Sequence, residues 1–135
     1  MSAIEPTPTT MAALAALNQD EGPVAMINLL RYNERASYPE GSAHTPCSGR
    51  EAYLRYGAEV QVHLEKVGGE VVWRATALLA WIAPEGERWD EAIIARYPSV
   101  GAFLWMISAS GYRQIAIHRR AALADARLLV TRPGP

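Results

Sequence analysis

Pro23-Val24-Ala25-Met26-Ile27-Asn28-Leu29-Leu30-Arg31 reads as a β-strand shielded on both faces. Side chains alternate across a sheet, so Val24, Met26, Asn28 and Leu30 share one face and Ala25, Ile27 and Leu29 the other. Both sets are mainly apolar, so both faces need a cover. Asn28 interrupts the pattern. An amide in the apolar middle of a strand costs free energy unless it finds hydrogen-bond partners. The fold, a ligand or ordered water has to supply them.

Upstream of this strand, Asp20-Glu21-Gly22-Pro23 is a turn. Before it, a short helix starts at Pro8 or Thr9 with a hydroxyl cap and a Met11, Leu14, Leu17 stripe. Met1 to Thr7 reads as a loose tail. The chain thus divides into an N-terminal tail and short helix over 1–22 and a main domain over 23–132.

Downstream, Tyr32 to Cys47 is a long irregular loop, of the kind that serves as a lid, an interface arm or a solvated insertion. Ser48-Gly49-Arg50-Glu51 then opens a helix with a capping-box pattern. Tyr53, Tyr56, Val60, Leu64 and Val67 form its apolar stripe, Glu51 and Arg55 an i,i+4 pair on its wet side, and Gly68-Gly69 its end. Glu70 to Ala83 reads as one long β run. Trp73, Ala75, Ala77, Leu79, Trp81 and Ala83 share a face there, with Arg74 on the other. Pro84-Glu85-Gly86-Glu87 is a turn, and Trp89 to Tyr97 the next strand, with Asp90, Ala92, Ile94 and Arg96 on one side. Ser99 caps a helix that turns Val100, Phe103, Leu104 and Ile107 inward. Ser110-Gly111 interrupts it before further helical turns over Tyr112 to Leu123. Ala126 to Thr131 is the last strand.

A helix followed by β-α-β-β-α-β is the split βαβ, ferredoxin-like order: an α+β fold with one antiparallel sheet and its helices on one face. The opposite face would then carry large apolar groups. A second copy of the chain is the simplest cover, closing two sheets into a dimeric α+β barrel.

The composition narrows the function classes. The chain has 135 residues, half of them hydrophobic, and a formal net charge of −1, with no basic stripe of the kind that binds nucleic acid. Lys66 is the sole lysine; heavy use of Arg and Ala suits a high-GC bacterial genome. Cys47 is the only cysteine, so no intrachain disulfide forms. No signal-peptide pattern opens the chain, and the longest apolar run, Ala75 to Ala83, is too short to span a bilayer as a helix. The expectation is a cytoplasmic protein that binds neither nucleic acid nor membrane. The three histidines lack ligand spacing and Cys47 has no partner, so no metal is expected. Flavin and dinucleotide fingerprints and a Gly-x-Ser-x-Gly elbow are missing, so no cofactor is expected either.

Several stretches carry a family likeness: Met26-Ile27-Asn28-Leu29-Leu30-Arg31-Tyr32, Ser48-Gly49-Arg50-Glu51-Ala52-Tyr53, and Trp89-Asp90-Glu91 running to Arg96-Tyr97-Pro98-Ser99. With Gly111-Tyr112 and His118-Arg119 they resemble the family called domain of unknown function thirteen-thirty, over roughly Pro23 to Leu129. The family looks like a branch of the dimeric α+β barrel superfamily, whose relatives include antibiotic-biosynthesis monooxygenases, muconolactone isomerases and haem-binding members. The resemblance implies the fold, a homodimer and a cavity between sheet and helices.

The candidate site residues follow. Asn28 either fixes a carbonyl or hydroxyl of a bound molecule, and in a catalytic reading stabilises an enolate-like charge on it, or is satisfied by a neighbouring backbone or helix side chain. His118 is the candidate general base if Asp90 or Glu51 fixes its tautomer, and otherwise a packing or interface histidine. Tyr53, Tyr56, Trp73 and Tyr112 pair apolar area with a polar handle and suit a flat, oxygenated ligand or a packed core. Arg31, Arg74 and Arg96 stand on strands, where each needs a carboxylate such as Asp90 or Glu91, or else an anionic substrate. Arg119 completes the candidate ligand-binding set. The functional expectation is a homodimer that binds a small oxygenated, partly apolar metabolite. It acts either as a cofactor-free enzyme of isomerase or monooxygenase type, or as a non-catalytic ligand-binding or dimerisation module.

Overall fold

The computed structural model describes residues 2–134. Its elements run α1 (Pro8–Ala15), β1 (Val24–Tyr32), α2 (Gly49–Lys66), β2 (Glu70–Thr76), β3 (Glu91–Tyr97), α3 (Val100–Ser108), α4 (Tyr112–Ala122) and β4 (Leu123–Thr131). The four strands make one antiparallel sheet in the order β2-β3-β1-β4, the ferredoxin-like arrangement. Helices cover one face. Leu30, Ile93 and Ala126 of the sheet pack with Ala52, Tyr53 and Ala122, and Val24, Met26, Ala95 and Tyr97 pack with Leu64, Val100 and Met106. The sheet is open, and Ala25, Ile27, Leu29 and Arg31 of β1 lie on its other face.

Local chemistry sets the boundaries. Ser48 Oγ accepts from the Glu51 N–H at 3.1 Å while Glu51 Oε1 accepts from the Ser48 N–H at 3.2 Å, so the capping box forms and holds the Glu51 carboxyl below its usual range. Gly49 follows because α2 starts against two backbone segments: a Cβ there would strike the carbonyl oxygens of Asn33 and Ala122. Gly111, at φ +92°, takes the left-handed conformation that breaks α3 from α4.

Three expectations change. The β run does not reach Ala83, because β2 is an edge strand and its only neighbour, β3, begins at Glu91. The last bond between the two segments is Ala77 N–H to Asp90 O at 3.0 Å, after which residues 78–83 have no strand to pair with. Leu78, Leu79, Trp81 and Ile82 stand out in solvent, Leu78 at 94% exposure and Ile82 at 87%. The Met1 to Thr7 tail is tied down over its described part. Ala3 N–H donates to Asp125 Oδ1 at 2.8 Å, Ala126 N–H to Ala3 O at 2.7 Å, and Arg119 Nη1 to Ile4 O at 2.6 Å. Met1 lies outside the described residues. The Glu51–Arg55 pair is not made, because Arg55 Nη1 donates to Tyr38 OH and Thr45 O. Among the described residues no helix is long and apolar enough to cross a membrane.

Candidate functional site

Between the sheet and its helices lies a cavity of about 830 Å³. Its floor is the helix-facing side of the strands, including Met26, Asn28, Ile93 and Ala95. Its walls come from α2, α3 and α4, and the N-terminal segment borders it through Ile4 and Leu14. Strand alternation puts Asn28 here, because Val24, Met26 and Leu30 on the same face are buried in the core. Asn28 Nδ2 donates to Met26 O at 3.2 Å and Ile93 O at 3.3 Å. Its Oδ1 accepts no hydrogen bond among the described residues, so an acceptor is left facing the cavity.

Tyrosines make the second polar feature. Tyr56 OH and Tyr112 OH lie 2.9 Å apart. One hydroxyl proton fills that bond and the other is left to donate elsewhere. Burial pushes the Tyr53 hydroxyl up to about 12 and the Tyr56 hydroxyl well above its ordinary value. Tyr97 is raised by the same cause. These phenols are donors at neutral pH and do not serve as bases.

Five arginines border the cavity: Arg74, Arg113, Arg119, Arg120 and Arg127. Arg119 borders it, but its Nη1 is spent on Ile4 O, so it straps the N-terminal segment. Arg74 faces the helices because a bulge between Val71 and Trp73 sets the phase of β2. Arg74 Nη2 donates to Glu91 Oε1 at 3.2 Å. Glu91, a buried carboxylate, also accepts from Tyr32 OH at 2.7 Å and lies 3.8 Å from Arg50 Nη1. Burial first, and then the Glu91 contact, keeps Tyr32 protonated.

Of the candidate residues, Asn28, Tyr53, Tyr56, Arg74, Tyr112 and Arg119 meet around the cavity. The rest do not. Trp73, registered with Ile94, and Arg96, registered with Ala25, are on the open face. Arg96 pairs with Glu70 at 3.5 Å, and Arg31 is half-buried next to β4, registered with Asp125. Asp90 borders a separate shallow cleft beside Arg88 and Arg50, and its Oδ2 accepts from Tyr32 N–H at 2.8 Å.

His118 belongs to another cluster, between α2, α4 and the loop over 33–47. Its Nε2 contacts Glu59 Oε2 at 2.7 Å and its Nδ1 contacts Tyr38 OH at 2.7 Å. Arg55 Nη1 donates to the same Tyr38 oxygen at 3.1 Å. One consistent arrangement satisfies every atom: Tyr38 O–H donates to Nδ1, and Nε2–H donates to Glu59. The tautomer is therefore set by Glu59 and Tyr38, in place of Asp90 or Glu51. Burial, with His44 and Arg55 adding to it against the pull of Glu59, lowers the His118 pKa and favours the neutral ring.

Arg74, which on its strand needed a carboxylate or an anionic substrate, finds its carboxylate in Glu91. His44 stands in the irregular 33–47 loop with no motif around it, yet its ring lies 4.5 Å from that of His118. No pattern in the sequence brings residues 44, 38 and 59 to position 118. Among the described residues no group of three or more His, Cys, Asp or Glu is placed to hold a metal ion.

Two crystal structures of the RPA0582 protein, one of its methylated form, match with a TM-score of 0.90 each. The methylated form is 42% identical, covering 99% of this chain and 96% of that one. The other, described as a protein of unknown function from Rhodopseudomonas palustris, is 41% identical, covering 100% and 99%. A DABB family protein with a ferredoxin-like fold from Mesorhizobium loti matches at a TM-score of 0.51 and 9% identity, over 85% of this chain and 100% of that one, a likeness of fold alone. No curated protein matches the chain. The family model "Domain of unknown function (DUF1330)" matches residues 43–132, beginning after β1 and so later than the Pro23 suggested by the motifs. The chain belongs to the DUF1330 family.

Proposed function

We propose that the chain is a homodimeric small-molecule-binding protein whose ligand is a small oxygenated, partly apolar metabolite held between sheet and helices. One observation carries this reading: a cavity of about 830 Å³, floored by apolar strands, into which Asn28 turns an unpaired amide oxygen. That size falls within the range usual for ligand sites, which combine apolar walls with a few placed polar groups. The Tyr56–Tyr112 pair adds a spare donor.

Capture without turnover is favoured over an isomerase- or monooxygenase-like reaction. A general base has to reach the proton it abstracts. His118 is outside the cavity, and the buried tyrosines are held protonated. Among the described residues the only carboxylate on the cavity lining is Glu5, which pairs with Arg120 at 2.9 Å. The groups that remain can hold a ligand and do not move its protons.

The open sheet face supports the homodimer. Ile27, Leu29, Ile94 and Trp73 lie on it, and the Leu78–Ile82 arm projects beside β2 with nothing in its own chain to cover it. A patch of this kind marks an interface. Native mass spectrometry of gently purified protein tests both parts. We expect twice the chain mass plus a small retained adduct, and loss of the adduct in Asn28→Leu with the dimer intact. An adduct-free monomer at micromolar concentration overturns the reading.

A further inference from the structure

The register of the sheet arranges the cavity floor as a row with one residue from each strand. Arg74 is opposite Ile93, Ile93 opposite Asn28, and Asn28 opposite Leu128. All four line the cavity. The row therefore reads cation, apolar, amide, apolar. Adjacent strands lie about 4.8 Å apart, so the Cα atoms of Arg74 and Asn28 are separated by roughly 10 Å.

Arg74 lies on the edge strand with its side chain 43% exposed, and only one of its nitrogens is paired within the described chain. Its Nη2 meets Glu91, while its Nη1 and Nε donate to no acceptor among the described residues. Glu91 is shared between Arg74 and Arg50, leaving one positive charge over in this group of three. The helix above is cut back at the same point. Gly57 sits in the interior of α2, where a glycine costs backbone entropy, and a Cβ there would lie 4.0 Å from Arg74 Nη1. Any larger side chain would take up the space beside the free nitrogen.

Resting on the cavity reading above, we infer that this site selects small carboxylic acids that carry a hydroxyl or N–H donor at the opposite end. The carboxylate accepts from Arg74 beside Gly57 and balances the surplus charge. The apolar body crosses Ile93. The far donor meets Asn28 Oδ1. A charge-assisted bond to guanidinium gives the stronger and more directional end of the recognition.

The test uses the full chain and three probes: 4-hydroxybenzoate, its methyl ester and benzoate, titrated by calorimetry and by ligand-observed NMR. We expect the acid to bind about tenfold or more tightly than the ester, and benzoate to bind more weakly than 4-hydroxybenzoate. Arg74→Met should erase the preference for acid over ester while ester affinity holds. Asn28→Leu should bring 4-hydroxybenzoate down to the level of benzoate. Gly57→Leu, which keeps Arg74 and fills the space beside it, should lose acid binding without loss of fold by circular dichroism, and it decides the matter if Arg74→Met does not fold. Equal binding of acid and ester, or tight acid binding in Gly57→Leu, overturns the inference and leaves the cavity reading standing. Binding of no probe, with an adduct still retained in native mass spectrometry, overturns the inference alone. Binding of no probe and no adduct overturns both.

Discussion

Asn28 is the residue at which the proposed ligand contact and fold stability can be tested apart. Its amide donates to two carbonyls over long distances, and its oxygen is unpaired. Replacing a polar group by an apolar one of similar shape is close to neutral when no buried partner is stranded. Asn28→Leu should therefore change unfolding free energy by less than about 1 kcal/mol in urea titrations while removing the proposed ligand. A loss of several kcal/mol would make Asn28 a structural amide. His118 gives a pH signature. Burial lowers its pKa, so the unfolded chain takes up a proton before the folded one does. Its contribution is present above the ordinary histidine value of about 6.5 and is lost as pH falls through the depressed folded value. Wild type should thus weaken between pH 7.5 and about 5.5, and His118→Gln should flatten that slope in denaturant melts at the two pH values. Equal slopes in the two proteins would sink the assignment. Gly49 is a matter of space. Gly49→Ala drives a methyl into the carbonyls of Asn33 and Ala122 and should cost about 1–3 kcal/mol, read as a lower melting temperature.

At the scale of elements, the boundaries follow from who is available to pair. α2 is well specified locally: the Ser48–Glu51 box closes both ways, and Ser48→Ala should cost about 1 kcal/mol in thermal melts. β2 is the opposite case. Its sequence stays β-like to Ala83, but an edge strand extends only as far as its single neighbour, and β3 offers seven residues. The N-terminal segment, read as a loose tail, becomes an added layer because Asp125, Ala126 and Arg119 give it backbone partners. Burial works against the Asp125 charge, yet bonds from Ala3, Arg127 and Ala126 hold its carboxyl below the usual value.

At the scale of the whole molecule, apolar surface remains that one chain does not use. Trp81 is 82% exposed and Leu79 74% exposed on the arm, next to an open sheet face. Burying side chains of this size contributes about 1.5–3 kcal/mol each. If the proposed homodimer forms through this surface, the double variant Leu79→Glu, Trp81→Glu should be monomeric by light scattering, with the circular dichroism spectrum unchanged, because neither residue packs in its own core. A dimer that persists would place the interface elsewhere.

The order of elements, the Ser48 cap, the Gly111 break and the two sets of β1 side chains that share a face were all readable from sequence, because each rests on neighbours within a few positions, whereas which of the two faces meets the helices was not. Tyr53 and Tyr56 could be assigned to the inner stripe of α2 on the same ground. What the tertiary structure decided lies at long range. Which strand has only one neighbour stopped β2 at Thr76. A bulge at Val71 and Trp73 turned Arg74 toward the helices, beneath Gly57. Three segments distant in the chain brought Glu59, Tyr38 and His44 to His118, outside the cavity where Asn28 lies. Periodicity reports which face a side chain takes, because that is local geometry. Which partner it meets there depends on register and packing between strands and helices far apart in sequence.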